Sequence, residues 1–266
     1  MPEGDTLVRT AAGLRPYLIG REVTAARARQ PGPQAQRLVG ATVTAIETQG
    51  KNLLVRFSNG LEVRTHLKLY GSWHRYRPGE RWRMPESRAR LVLEVPGSVA
   101  VCFDAPVVEL FEQRTESLHP ALVGLGPDLL SPTFDAAEAL RRLRDPSRAS
   151  LTIGEALLDQ RALAGIGTIW RAETLWTERM SPFVPVAELD DATLERLIGT
   201  ARRLLRTSVR NGHPGPMGAY RRVGRPCRRC GTLILSRRQG SDLPRTTYWC
   251  PRCQGPEVGV ERRAGA

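Results

Sequence analysis

The sequence predicts a multidomain α+β protein, and three observations carry that reading. Residues up to about 120 alternate short apolar runs with turn residues, which is a strand signature. The stretch from about 135 to 211 carries helical periodicity. Beyond it, two Cys-x-x-Cys pairs frame two further strand-like segments. The chain of 266 residues has room for about two domains, and 41% hydrophobic residues suffice to build their cores.

The leading segment, 6–19, places Leu7, Ala11, Leu14 and Leu18 on one helical stripe, stopped at Gly20. Strand-like segments follow at 22–26, 42–48, 52–57, 61–67, 90–95, 99–103 and 107–111. Ser58-Asn59-Gly60 joins two of them, and Asn-Gly suits a hairpin turn with positive φ at both central residues. Short strands with regular turns predict a sandwich or barrel. Cys102 stands in the apolar run 99–103 and reads as a buried strand residue.

Residues 119–134, with Pro120, Gly124, Gly126, Pro127 and Pro132, read as a linker. Thr133 or Asp135 can cap a helix through Leu143. Thr152-Ile153-Gly154-Glu155 fits a capping box opening a helix over 153–160. Gly165-Ile166-Gly167 breaks it, and Thr168 can cap a second helix to about residue 178. A third starts at Asp190 or Asp191, with Leu194, Leu197, Ile198, Ala201, Leu204 and Leu205 on one face. Residues 211–226 form a Gly/Pro/Arg loop, and 256–266 read as a flexible tail.

The net charge of +13 points to a polyanionic partner, nucleic acid first and an anionic membrane surface second. Only Lys51 and Lys68 among the 40 basic residues are lysines, so each position invites a reason. No apolar run approaches the ~18 residues that cross a bilayer, and no signal-type segment opens the chain. A cytoplasmic location with no membrane partner is expected.

Cys227-x-x-Cys230 and Cys250-x-x-Cys253, 19 residues apart, have the spacing of a tetrahedral zinc site. Four thiolates leave no open coordination position, so one structural Zn2+ is expected. Residues 232–235 and 246–249 read as the two strands of its hairpin. Arg228, Arg229, Arg237, Arg238, Arg245 and Arg252 around it suit phosphate contact, although a ribbon that only stabilises the fold has the same cysteines.

Three further features carry possible chemistry. With Met1 removed, Pro2 has a terminal secondary amine, which titrates near ~8 and can form a Schiff base with an electrophilic carbon. Glu3 beside it can shuttle a proton. A small residue after an initiator Met is also ordinary. Lys51 sits in the turn Gln49-Gly50-Lys51, and Lys68 in His66-Leu67-Lys68-Leu69-Tyr70-Gly71, a loop that can wedge into a base stack or simply expose a lysine. The glycine turn at 165–167 can bind phosphate or merely join two helices.

Together these residues resemble the Fpg/Nei (formamidopyrimidine-DNA glycosylase / endonuclease VIII) family of bifunctional DNA glycosylases. The resemblance runs to about Gly255 and rests on seven stretches: Met1-Pro2-Glu3-Gly4, Gln49-Gly50-Lys51, residues 66–71, residues 124–128, residues 157–160, Gly165-Ile166-Gly167 and residues 245–254. It implies an N-terminal β-sandwich with a leading helix, then a helix–two-turn–helix domain ending in a zinc-finger β-hairpin. The implied division is 1–120 catalytic, 121–135 linker, 136–215 helix–two-turn–helix, 216–255 zinc finger and 256–266 tail. DNA is expected in the cleft between the domains, bound by a monomer associated with the nucleoid.

The implied activity is base excision repair. Pro2 would attack C1′ of a flipped, damaged nucleotide, with Glu3 as acid/base, and β,δ-elimination would nick the strand. Lys51 and Arg245 would hold the flanking phosphates, and Lys68, Leu69 and Tyr70 would fill the vacated stack. His66, Gly167 and Thr168 would contact DNA. The Pro-Glu-Gly start and the Leu69-Tyr70 loop look like the endonuclease VIII branch. Residues 104–112 also lack the Arg-Phe pair of the 8-oxoguanine branch, so oxidised pyrimidines are the expected substrates. The chain departs from the family pattern at Thr168, where the family has Asn, and at Thr6, where it has an acid and this chain has Asp5 one place earlier. The alternatives are an 8-oxoguanine/formamidopyrimidine-type glycosylase and a non-catalytic zinc-ribbon DNA-binding protein.

Overall fold

In the computed structural model, Leu7, Ala11, Leu14 and Leu18 line the buried face of α1 (Gly4–Leu18), as their spacing predicts. The structure describes residues 2–240 and 244–255, and the chain divides into two compact units, Met1–Gly124 and Leu125–Ala266.

Unit 1 continues with β1 (Ala25–Ala28), β2 (Val43–Gln49), β3 (Asn52–Phe57), β4 (Leu61–His66), β5 (Ser72–Tyr76), β6 (Ala89–Val95), β7 (Ser98–Phe103) and β8 (Val107–Glu112). They form two antiparallel sheets, ordered β1-β6-β7-β5 and β2-β3-β4-β8. Leu53, Val55, Phe57 and Val63 of one sheet share a core with Leu91, Leu93, Ala100 and Cys102 of the other, and α1 adds its stripe. The choice left open between sandwich and barrel thus resolves to a sandwich. Cys102 is fully buried in β7, as expected.

Three sequence readings of this unit need correction. The segment at 22–26 shifts to β1, leaving Glu22 in a single bridge with Thr42. β5 has no counterpart among the expected strands. His74 and Arg75 interrupt its apolar pattern, yet Trp73 enters the main core while Tyr76 packs on the opposite face of its sheet. In the Ser58-Asn59-Gly60 turn only Gly60 has positive φ, at 77°. Three residues separate Phe57 from Leu61, so the loop uses one left-handed glycine rather than a two-residue primed turn.

Unit 2 contains α2 (Ala136–Leu143), α3 (Ile153–Ala156), α4 (Thr168–Thr177), α5 (Asp191–Asn211), β9 (Leu235–Gln239) and β10 (Arg245–Trp249). Asp135 caps α2 by accepting from Glu138 N–H at 2.9 Å, and Asp190 caps α5 by accepting from Thr193 N–H at 2.8 Å. Leu143, Ile153, Leu163, Trp170, Leu194, Leu197 and Ile198 make its core, with Leu204 half-buried at the edge. Residues 256–266, read as a tail, lie outside the described residues.

The helix expected over 153–160 stops at Ala156. Its start follows the capping box, since the Glu155 carboxylate accepts from Thr152 N–H at 3.0 Å. Tertiary contact then overrides helical propensity. Gly126 N–H donates to Gln160 O at 2.9 Å, and Asp128 bridges Ala164. A Cβ on Gly126 would lie 2.5 Å from Ala162 O, so only glycine admits this approach. The hairpin strand expected at 232–235 moves to β9, whose register with β10 runs from Arg245↔Gln239 to Trp249↔Leu235.

Candidate functional site

Two ties align α1 with β2. Gly20 N–H donates to Val43 O at 2.9 Å, and Arg15 Nε donates to Ile46 O at 2.8 Å. α1 traced back from there toward its N-terminus and β2 traced forward each cover about 20 Å, so the two run antiparallel. Pro2 and Glu3 therefore come level with the Gln49-Gly50-Lys51 turn, where Gly50 adopts φ 59°. β4 ends at the same level, because Leu53 pairs with Thr65. The loop holding His66, Lys68, Leu69 and Tyr70 consequently opens at this end too.

Glu3 is fully buried at the N-cap of α1, while Pro2 is half-buried just outside the helix. The positive end of the helix macrodipole disfavours an ammonium there and favours the carboxylate of Glu3. Asp5, also buried, pairs with Arg9 at 2.8 Å. Thr6 is the third residue of α1 and half-buried. Met1 lies outside the described residues.

His66 is held neutral. Its pKa falls to about 4, first through burial and then through the charges of Lys68, Lys51 and Arg64. Lys68 N–H donates to His66 Nδ1 at 3.2 Å, which leaves the ring proton on Nε2. Lys68 itself adopts φ 49° at the bend. Leu69 is 46% exposed and Tyr70 79% exposed. Large apolar side chains held outward on a tight loop suit insertion into a stack rather than packing in a core. The loop closes at Gly71, where a Cβ would lie 2.6 Å from Leu67 O.

In unit 2, Gly167 and not Thr168 is the N-cap of α4; Thr168 is its first residue and is buried. The Gln160 side chain braces the preceding turn, donating to Ile166 O at 2.9 Å and accepting from Gly165 N–H at 3.2 Å. One turn into α4, the fully buried Arg171 donates to Thr246 O at 2.7 Å. Thr246 follows Arg245, which is exposed at the head of β10. The structure thus brings Gly167, Thr168 and Arg245 to one end of unit 2.

Cys227, Cys230, Cys250 and Cys253 place their sulfurs within 4.8 Å of one another. The Cys230–Cys250 and Cys227–Cys253 sulfur pairs are 3.4 and 4.0 Å apart. A tetrahedron of sulfurs at ~2.3 Å from zinc has edges of ~3.8 Å, so the cage fits one Zn2+ with no open position. Trp176 Nε1–H donates to Cys227 Sγ at 3.4 Å, which orients one ligand from α4.

The sequence reading missed Asn52 and Arg64, two buried polar residues beside the Lys51 turn. Asn is depleted in strands, and its place directly after Gly-Lys was the available signal.

Comparisons with known proteins cover nearly the whole chain. The Formamidopyrimidine-DNA glycosylase N-terminal domain matches residues 1–106. The Formamidopyrimidine-DNA glycosylase H2TH domain matches 125–216, and the Zinc finger found in FPG and IleRS matches 224–255. A probable endonuclease 8 2 of Streptomyces coelicolor is 40% identical, covering 100% of this chain and 98% of the relative. A DNA-(apurinic or apyrimidinic site) lyase Nei2 of Mycolicibacterium smegmatis is 38% identical over 96% and 99%. Endonuclease 8 of Escherichia coli is 32% identical over 96% and 100%. Among solved structures, Lactococcus lactis Fpg bound to N7-benzyl-Fapy-dG DNA superimposes with a TM-score of 0.82. It is 20% identical and covers 95% of this chain and 99% of that one.

Proposed function

The chain belongs to the Fpg/Nei family of DNA glycosylases, and from that premise we propose a bifunctional glycosylase and abasic-site lyase that reacts through Pro2. The observation that carries this reading is the convergence of Pro2-Glu3, Gly50-Lys51 and the His66–Tyr70 loop at one end of unit 1. An amine, a buried carboxylate, two lysines and an exposed wedge are the parts that a sugar-directed lyase on DNA needs.

With Met1 removed, the Pro2 nitrogen lone pair bonds to C1′ of a flipped nucleotide as the glycosidic bond breaks and the base leaves with its electron pair. Loss of the amine proton and opening of the sugar leave an iminium at C1′. Removal of a C2′ proton then expels the 3′ phosphate, a second elimination expels the 5′ phosphate, and water releases Pro2. Glu3 moves protons at the sugar. Lys51 in unit 1 and Arg245 in unit 2 neutralise the phosphates that flank the lesion. His66, Lys68, Gly167 and Thr168 add contacts to the strand, while Leu69 and Tyr70 occupy the gap. Zinc, when bound, supplies no chemistry here and holds the hairpin that carries Arg245.

Oxidised pyrimidines fit best as substrates. Residues 104–112, which hold the loop from β7 into β8, contain no arginine, so they offer no Arg-Phe pair. The enzyme works as a monomer in the cytoplasm, on nucleoid DNA. Domain limits follow the residue division stated for the family.

The direct test uses untagged protein on an abasic-site duplex. A one-nucleotide gap with phosphate at both ends is expected, with severe loss in Pro2→Gly, Lys51→Ala and Arg245→Ala. Tight binding without any nick, unchanged by Pro2→Gly, would leave only a DNA-binding zinc-ribbon protein.

A further inference from the structure

We infer that Asn52 and Arg64 are positioning residues that fix the Lys51 turn, an inference resting on the reading of Lys51 as a reaction-centre residue. Asn52 pairs with Gln49 across the Gly50-Lys51 turn. Its Nδ2 also donates to Gln49 O at 3.0 Å, so one side chain staples both ends of the turn. Its Oδ1 accepts from Arg64 Nη1 at 2.5 Å.

Arg64 reaches this position from β4, the strand beyond β3. Its Nε and Nη2 both lie 2.8 Å from Glu109 Oε2 on β8, so the guanidinium spans from the turn to the far strand. Glu109 in turn lies 3.1 Å from His119 Nε2. Asn52 and Arg64 are each at most 5% exposed. Charge-assisted hydrogen bonds in such surroundings are stronger than on a surface, and a lost partner leaves a buried group unsatisfied.

A lysine has a long flexible stem, so the accuracy of its ammonium depends on the backbone that carries it. A two-residue turn with a left-handed glycine is held more firmly when a buried side chain spans it. Asn52 spans it, and Arg64 fixes the amide in the orientation that gives Oδ1 to the guanidinium and Nδ2 to Gln49. Neither residue is required at the sugar. Their effect passes through Lys51.

A double-mutant cycle on the full chain tests this, with Met1 removed and single-turnover nicking of an abasic-site duplex as the readout. Asn52→Ala changes no charge, and Arg64→Lys keeps the charge but loses the fork. Each is expected to slow nicking by about ten- to a hundredfold, since a misplacement of ~1 Å carries such a cost. Duplex affinity and circular dichroism are expected to hold. In a Lys51→Ala background neither change should slow nicking beyond about twofold, whereas sites acting independently of Lys51 would repeat the full loss. Equal fold losses with and without Lys51 would mean a merely structural role and overturn the inference. Wild-type nicking by Asn52→Ala and Arg64→Lys would overturn it as well. Wild-type nicking by Lys51→Ala alone would instead overturn the role of Lys51, which separates the two failures.

Discussion

Glu62 on β4 faces Arg56 on β3, whose Nε donates to Glu62 Oε2 at 3.0 Å. The same guanidinium reaches Glu47 and Glu116, both at 2.7 Å. Glu62 is fully buried, and its Oε1 as a carboxylate has no donor among the described residues. Burial raises its pKa to about 7, with Glu116 adding to the rise and Arg56 opposing it.

Below the ordinary carboxylate range, folded and unfolded chains both hold the Glu62 proton. Between about 4.5 and 7 the unfolded chain ionises while the folded chain keeps its proton, so this group's contribution to stability falls as pH rises. Glu62→Gln is therefore expected to flatten the decline of Tm between pH 5 and 8. A decline unchanged by the substitution would contradict the assignment.

The wedge separates function from stability. Leu69 and Tyr70 are exposed, so Leu69→Ala and Tyr70→Ala should shift stability by no more than ~0.5 kcal/mol. Excision from a duplex is expected to fall about tenfold, the equivalent of ~1.4 kcal/mol of lost strand-filling contact. A single-stranded substrate has no gap to fill and should be affected less. Equal losses on both substrates would argue against insertion.

Much of the fold was legible because its signals are local. The stripe of α1, the caps at Asp135 and Asp190, and each Cys-x-x-Cys pair lie within a short stretch of chain. β5 was illegible because Trp73 and Tyr76 are buried on opposite faces, a fact set by which sheet covers each. β9 was displaced because its register depends on β10. The staple of Asn52 by Arg64 joins residues on different strands, and nothing in the sequence between them announces it. Pro2, Lys51 and Arg245 each stood out on their own chemistry, but only the resemblance joined these distant positions into one candidate site.

Glu173 on α4 anchors the approach to the zinc module. Its buried carboxylate accepts from the backbone N–H groups of Gly218, Ala219 and Tyr220 at 2.7, 2.9 and 2.8 Å. Glu173→Ala leaves these donors without the carboxylate and should cost at least ~3 kcal/mol. Glu173→Gln keeps an acceptor and should cost less. Thermal denaturation decides this, and a loss under ~1 kcal/mol for the alanine variant would contradict the anchoring role.

The cysteine cage should hold one zinc per chain. Cys250 is fully buried between its fellow ligands and Ile234, so Cys250→Ala should release the metal and lower the Tm. Chelation should reproduce the effect, with nicking lost alongside because the hairpin no longer presents Arg245. A metal content near zero in purified, correctly folded protein would contradict the assignment.

The most direct test is borohydride trapping on an abasic-site duplex, followed by mass mapping of the linked peptide, using protein whose Met1 has been removed. The expected result is a covalent adduct on the nitrogen of Pro2, suppressed in Pro2→Gly, which keeps a terminal amine, and abolished by a retained N-terminal tag. An adduct on Lys51 or Lys68, or no adduct despite tight duplex binding, would contradict the central claim that Pro2 is the nucleophile.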